Sequence, residues 1–367
     1  MVVANPRVTG ILSLLIFLVM ATACTGGGTP VQDEEFVFDR QAFLALLDRP
    51  TPPAEEELKA FYRQPGSIPY RTQGLTNIEA IRGLGEQLFF DPRLSKSGLM
   101  SCATCHNPSL GWVDGLPRSI ENATRRSMSL YNLAWDHQFT WTGRAQTLMS
   151  QAVLALTAGS GMAGAPDQIV ARLRNTPGYH RRFEEIFQTS AVPPEHRISV
   201  DTVVLALEIF VASIRSPEAP FDRWISGDID AISAEARAGF LLFNTRAGCA
   251  RCHNSWRFSD SEVYDIGLDE DPGRAEFLPA DPRSPFAFKA VGLREIAGRP
   301  PYMHSGVFPS LETVIDFYDR GGNVNRPSKS PFVRPLGLSA GEKRSLRAFL
   351  ETLSSEPRPY PLPPLPQ

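Results

Sequence analysis

The pentapeptide C-x-x-C-H occurs twice in this chain, at Cys102-Ala103-Thr104-Cys105-His106 and at Cys249-Ala250-Arg251-Cys252-His253. At this spacing two thiols can add across the vinyl groups of one haem while the adjacent imidazole ligates its iron. The first cysteine and the histidine stand i, i+4, one helical turn apart, so the three groups share a face. A chain carrying this motif twice must fold around two large apolar discs. The competing reading joins both C-x-x-C pairs into one four-thiolate zinc site. It leaves both histidines without a role and joins pairs far apart in sequence.

With 367 residues, 42% of them hydrophobic and 21% charged, the chain can hold two domains, each with its own core and one haem. The formal net charge of -3 provides no basic footprint and excludes a nucleic-acid partner.

The apolar run at residues 11–20 is too short to span a bilayer; Arg7 precedes it, and Ala21-Thr22-Ala23 follow it before Cys24. Residues 1–23 therefore read as an export signal. Cleavage before Cys24 with lipidation of that cysteine gives the fifth cysteine a purpose; plain export to the periplasm is the simpler alternative. Export suits haem attachment, which consumes the other four thiols and leaves none for disulfides. Residues 24–75, rich in Gly, Pro and Glu, read as a peripheral tether with one amphipathic stretch from Glu55 to Tyr62. The Pro-rich end, 357–367, cannot be helical.

Between these ends the periodicity is helical. Val203, Leu207, Phe210 and Ile214 mark one apolar face, and Leu346, Phe349, Leu350 and Leu353 mark another. Ser339 and Glu342 form a capping box, and Ser233 caps a helix over 234–243. No alternating strand pattern competes. The expected fold is all-α, with haem domains over 76–228 and 229–356, joined near 216–230, and little self-similar sequence around the two motifs.

Further motifs stand in a distinctive order. Leu84-Gly85-Glu86-Gln87-Leu88-Phe89-Phe90-Asp91-Pro92 precedes the first C-x-x-C-H, and Gly111-Trp112-Val113-Asp114-Gly115 follows it. Pro220-Phe221-Asp222-Arg223-Trp224 precedes the second, and Asp271-Pro272-Gly273-Arg274, Leu293-Arg294-Glu295-Ile296 and Pro301-Tyr302-Met303-His304-Ser305-Gly306 come after it. In this order they resemble the bacterial di-haem cytochrome c peroxidase and MauG superfamily, over about residues 76–355.

The resemblance implies two cytochrome c-like domains, with a peroxide-reactive haem in the first and an electron-relay haem in the second. His106 and His253 then ligate the irons. The far ligand of the second iron is a methionine in the peroxidases; ungapped alignment places Tyr318 there, and Met303, in the turn before that helix, is its rival. A phenolate is a hard anionic oxygen that favours ferric and higher states, whereas a thioether favours ferrous iron. Tyr318 thus points to the tyrosine-ligated MauG-like branch, in which a shared high-valent state oxidises a protein at a distance. The run Arg126-Ser127-Met128-Ser129-Leu130 with Asn132 is similar to the MbnH-like members.

The resemblance also assigns Trp141 as the relay between haems and Gln151 as a residue lining the peroxide pocket. An acid expected ten residues beyond Gln151 is replaced by Gly161, so Asp136 or a water must carry its proton. The absence of histidine over 120–126 leaves the first haem open to peroxide. The family's bridging calcium is uncertain, because Arg126 stands where an asparagine ligand is expected. His304 resembles a residue near a haem edge, and His137, His180 and His196 have no assigned chemistry.

The expected activity is oxidation of a periplasmic partner protein with hydrogen peroxide. Two alternatives stay open: a peroxidase fed by a small redox protein, and a non-enzymatic di-haem electron carrier, kept alive by the missing acid.

Overall fold

Two apolar cores organise the computed structural model, which describes residues 38–70, 75–120, 124–159, 162–190, 192–283 and 285–367. The export signal, Cys24 and Gly161 lie outside the described residues. The described residues begin with two short helices, α1 (Arg40–Leu47) and α2 (Glu55–Lys59). The first core is built from α3 (Ile78–Phe90), the one-turn α4 (Cys102–Cys105), α5 (Leu148–Thr157), α6 (Pro166–Arg174), α7 (Pro177–Phe187) and α8 (Val200–Ser213). The second uses α9 (Pro220–Ile225), α10 (Ala234–Asn244), α11 (Leu311–Asp319) and α12 (Ala340–Glu351). The all-α expectation holds apart from a minimal antiparallel pair, β1 (Val263–Tyr264) with β2 (Phe288–Lys289).

The local signals act where they stand in sequence. Ser233 Oγ accepts from Ala236 N at 3.1 Å, and Ser339 and Glu342 complete a reciprocal capping box. The face Val203, Leu207 and Phe210 of α8 packs with Leu84, Leu88 and Phe89 of α3 in the first core.

The two cores repeat one helix crossing that sequence similarity does not announce. A Cβ at Gly85 of α3 would lie 1.9 Å from Ala206 O and 2.9 Å from Phe210 Cβ. One at Gly239 of α10 would lie 1.9 Å from Ser345 O and 2.8 Å from Phe349 Cβ. In each half a glycine lets two helix backbones touch, and a phenylalanine one turn on closes the gap. The repeat lives in backbone geometry, which tolerates many side chains outside the crossing.

Both ends of the chain are more than peripheral. Phe43, Leu46, Leu58 and Tyr62 are buried in the second core, and Tyr62 donates to Asn244 Oδ1 at 2.6 Å inside it. The tether reading therefore does not describe residues 38–62. Only the amphipathic stretch from Glu55 to Tyr62 signalled it, because the core that accepts these side chains comes much later in the sequence. The Pro-rich tail runs the other way: Tyr360 packs against the first core, and Gly178 N donates to Gln367 O at 2.7 Å. Residues 38–62 and the tail thus each cross to the far half.

Gly239→Ala should destabilise the folded protein by about 1–3 kcal/mol, because the clash is with a main-chain carbonyl that cannot rotate away. A lowered denaturant midpoint at unchanged slope is the expected result.

Candidate functional site

Each motif presents its histidine from the end of a tight turn. The His106 amide donates to Cys102 O at 3.0 Å, ending α4, and the His253 amide donates to Cys249 O at 2.9 Å. His106 Nδ1 lies 3.1 Å from Trp112 O and His253 Nδ1 lies 3.0 Å from Phe258 O. A carbonyl only accepts, so each Nδ1 carries the proton and each Nε2 keeps a lone pair for a metal. Burial lowers the pKa of both imidazoles and keeps them neutral. Burial also pushes the Cys102, Cys249 and Cys252 thiols up to about 12. Among the described residues no group of three or more His, Cys, Asp or Glu is placed to hold a metal ion. The zinc reading therefore lacks a clustered donor set, whereas paired thiols beside a neutral, oriented imidazole fit haem.

The second motif opens into an apolar cavity of about 200 Å³. Cys249, Cys252 and His253 line it together with Trp141, Met303 and Tyr318. Ser310 caps α11, accepting from Thr313 N at 3.3 Å, and Leu311, Ile315 and Phe317 are buried along that helix. The Tyr318 hydroxyl has no hydrogen-bond partner among the described residues. Burial pushes its pKa up, so it ionises readily only against a cation. His304 stacks on Phe288 at 3.5 Å between centroids, with Nε2 3.4 Å from Asp269 Oδ2. That imidazole is engaged on its face by Phe288, while Nε2 lies near the Asp269 carboxylate without a hydrogen bond.

Trp141 lines this cavity and also a second one of about 80 Å³, shared with Arg126, Tyr131, Lys289 and Arg299. Its Nε1 donates to Arg126 O at 2.8 Å, and its own carbonyl accepts from Lys289 N at 2.8 Å. The residue is thereby held from both halves of the chain, its indole by Arg126 and its main chain by Lys289. Arg126 N in turn donates to His304 O at 2.9 Å. The Arg126 guanidinium is buried, with Nη1 donating to Arg299 O at 3.1 Å and Nε and Nη2 unpartnered. A calcium-ligating set does not fit around this cation.

Asp136, suggested as a substitute proton carrier, is committed elsewhere. Lys289 and Arg257 both ion-pair with its carboxylate, and Ser261 Oγ donates to it at 2.5 Å. Burial alone would raise its pKa, but the two cations bring it down to about 2. A carboxylate held that firmly is a poor proton shuttle near neutral pH. Gln151 sits on α5 with Oε1 buried and unpartnered. His137, 3.3 Å from Glu262, is exposed, as are His180 and His196. The sequence reading missed the Asp136, Lys289 and Arg257 cluster, whose members carry no motif and are separated by long stretches of chain.

With this geometry in hand, similarity to known proteins becomes informative. The pattern of the family described as di-haem cytochrome c peroxidase matches residues 79–230. The chain is 46% identical over 352 residues to the methylamine utilization protein MauG of Methylorubrum extorquens, covering 94% of this chain and 93% of that protein. It is 39% identical to MauG of Methylophilus methylotrophus, covering 82% and 89%. A crystal structure of a MauG-like protein associated with microbial copper homeostasis aligns with a TM-score of 0.71 at 27% identity, over 84% of this chain and 95% of that one.

The Asp136 cluster makes stability depend on acid. Its folded pKa of about 2 lies below the ordinary 3.8, so its contribution is complete above about pH 4 and is lost as the pH falls toward 2. Asp136→Asn should cost about 3–5 kcal/mol at pH 7, because it strands buried cations, and should flatten the acid-unfolding curve between pH 4 and 2. Denaturant titrations across that range check both effects.

Proposed function

The chain belongs to the di-haem cytochrome c peroxidase and MauG family, and from that premise we propose how its residues serve a MauG-like oxidoreductase that acts on hydrogen peroxide and oxidises a partner protein. Two haems are attached through Cys102 and Cys105 and through Cys249 and Cys252, with His106 and His253 as iron ligands. We assign one to each half, with the boundary moved from 228/229 to before α9, because Phe221, Trp224 and Ile225 pack in the second core. When bound, the haems supply the redox chemistry, accepting oxidising equivalents from peroxide and passing them on.

The protein's own groups do the rest. The carbonyls of Trp112 and Phe258 orient the two imidazoles. Gln151 offers an unpartnered carbonyl oxygen to peroxide. Trp141, bonded from both halves, relays electrons between the two sites. Tyr318 would hold the second iron through its phenol oxygen, opposite His253 in sequence role, and Arg126 stands where the family's calcium would have an asparagine ligand. The observation that carries this reading is the half-buried Tyr318, which lines the same apolar cavity as His253 and whose hydroxyl bonds to none of the described residues. A hard anionic oxygen there lowers the reduction potential and lets the second site hold oxidising equivalents.

Two relatives bear the name methylamine utilization protein, so we assign the partner to an exported protein of that process. Among the described residues no helix is long and apolar enough to cross a membrane; a lipid on Cys24 anchors the protein in the periplasm. A second reading, a peroxidase fed by a small redox protein, is favoured by one observation: Met303 lines the same cavity.

Peroxide addition to the purified holoprotein, followed by optical and electron paramagnetic resonance spectra, separates the two. A methionine-to-ferric-haem charge-transfer band would sink the tyrosine reading. Tyr318→Met should raise the second site's potential by at least about 59 mV, a tenfold change for one electron; an unchanged potential means that Tyr318 is not a ligand. Trp141→Phe should slow electron sharing between the sites on the order of tenfold, about 1.4 kcal/mol in barrier, with haem content intact. Stopped-flow spectra after peroxide addition read that rate.

A further inference from the structure

We propose that Tyr360, in the Pro-rich tail, is a second exit for oxidising equivalents, reached from the first haem site through Trp112 and served by Glu86 as proton acceptor. The route begins at the His106 imidazole, whose Nδ1 is held 3.1 Å from the Trp112 carbonyl. The Trp112 side chain is 4% exposed, so water does not bathe the indole. Its ring meets that of Tyr360 edge-on, with centroids 5.1 Å apart at 79°. The Tyr360 ring also stacks on Phe90 at 5.7 Å, and is itself half-buried at the surface. Two contacts thus join the His106 imidazole to a residue at the surface.

The chemistry at the end of this path is complete. Loss of an electron makes a phenol strongly acidic, so tyrosine is readily oxidised only where a base can take its proton. The Tyr360 hydroxyl donates to Glu86 Oε1 at 2.5 Å, and Arg82 Nη1 lies 3.6 Å from the other oxygen of that carboxylate. Tyr131 provides a contrast. It is also close to Trp112 and equally half-buried, but it lies near both Arg299 and Glu295, and no carboxylate accepts from its hydroxyl among the described residues.

The tail is fastened so that Tyr360 stays in place. Gln87 Nε2 donates to Pro364 O at 3.0 Å, Arg93 Nη2 to Pro366 O at 2.7 Å, and Gly178 N to Gln367 O at 2.7 Å. Trp112 lines neither of the two cavities that Trp141 lines, so this route is separate from the relay between halves.

In the proposed step one electron leaves the Tyr360 ring through Trp112 toward the peroxide-oxidised site. The phenolic O–H bond breaks and an O–H bond forms on Glu86, leaving a neutral tyrosyl radical. Hydrogen peroxide is the oxidant, taking up two electrons and two protons to give two waters. A small one-electron reductant such as ascorbate returns the electron, and the proton goes back from Glu86. The exit discharges the protein when no partner is docked. It rests on the peroxide chemistry of the preceding section and is independent of Tyr318.

The test uses the full-length holoprotein mixed with peroxide and freeze-quenched for electron paramagnetic resonance, with optical spectra in parallel. The expected result is a transient radical signal that narrows when tyrosine is ring-deuterated. It should be lost in Tyr360→Phe, which keeps the ring contacts, and lost or shortened in Glu86→Gln. It should persist in Tyr131→Phe and be quenched by ascorbate, and without ascorbate peptide mapping should find oxidised Tyr360. A signal that survives in Tyr360→Phe overturns the proposal, as does the absence of any tyrosine signal while the optical spectrum shows that peroxide has reacted. An optical spectrum that peroxide leaves unchanged overturns this proposal and the peroxide reading together. A failed tyrosine ligation appears instead in the charge-transfer band and in the Tyr318→Met potential, neither of which involves Tyr360.

Discussion

The buried ionic junction at Asp136 is the constraint on which the arrangement of the two halves depends. Asp136 follows the short 3₁₀ turn at Leu133–Trp135, while Lys289 lies on β2 and Arg257 follows the second C-x-x-C-H motif. Two buried cations and one carboxylate are costly to desolvate, and breaking such a set leaves an uncompensated charge. The same Lys289 whose ammonium meets Asp136 donates its amide to the Trp141 carbonyl. The electrostatics that join the halves therefore also position the main chain that carries the indole. Apolar packing builds each core, but polar contacts with narrow geometric tolerance set the register between the two.

A second tie comes from the termini. Residues 40–62 complete the core of the second half, and the tail from Tyr360 onward lies on the first. Arg40 reaches Asp260 at 3.1 Å and Arg251 reaches Asp48 at 2.6 Å, adding charge pairs to the apolar contacts of the leading segment. Each half is thus finished by chain belonging to the other end. This crossing brings an aromatic side chain of the tail beside the indole that supports the first histidine.

Arg126 shows how one residue can alter a site while the surrounding fold persists. Its main chain keeps two structural bonds, accepting from Trp141 and donating to His304. Its side chain places a permanent positive charge in the cavity between the halves, with two guanidinium nitrogens unpartnered. A guanidinium cannot be a metal ligand and repels a divalent cation, yet it can meet an anionic group in the same space.

Chemistry written in short segments was legible from the residues alone. The two C-x-x-C-H motifs, the caps at Ser233 and Ser339 and the apolar faces of α8 and α12 depend on neighbours within a few positions, and local backbone geometry realises them directly. Tyr318 and Trp141 became candidates only through family resemblance, because an aromatic residue on an amphipathic helix or in a loop has no local feature that distinguishes a ligand or relay from core. The Asp136 junction, the return of residues 40–62 to the second core and the Tyr360 contact with Trp112 were decided by tertiary structure. Each joins groups separated by roughly a hundred residues or more, and such pairs meet only after both cores have formed and buried their apolar faces.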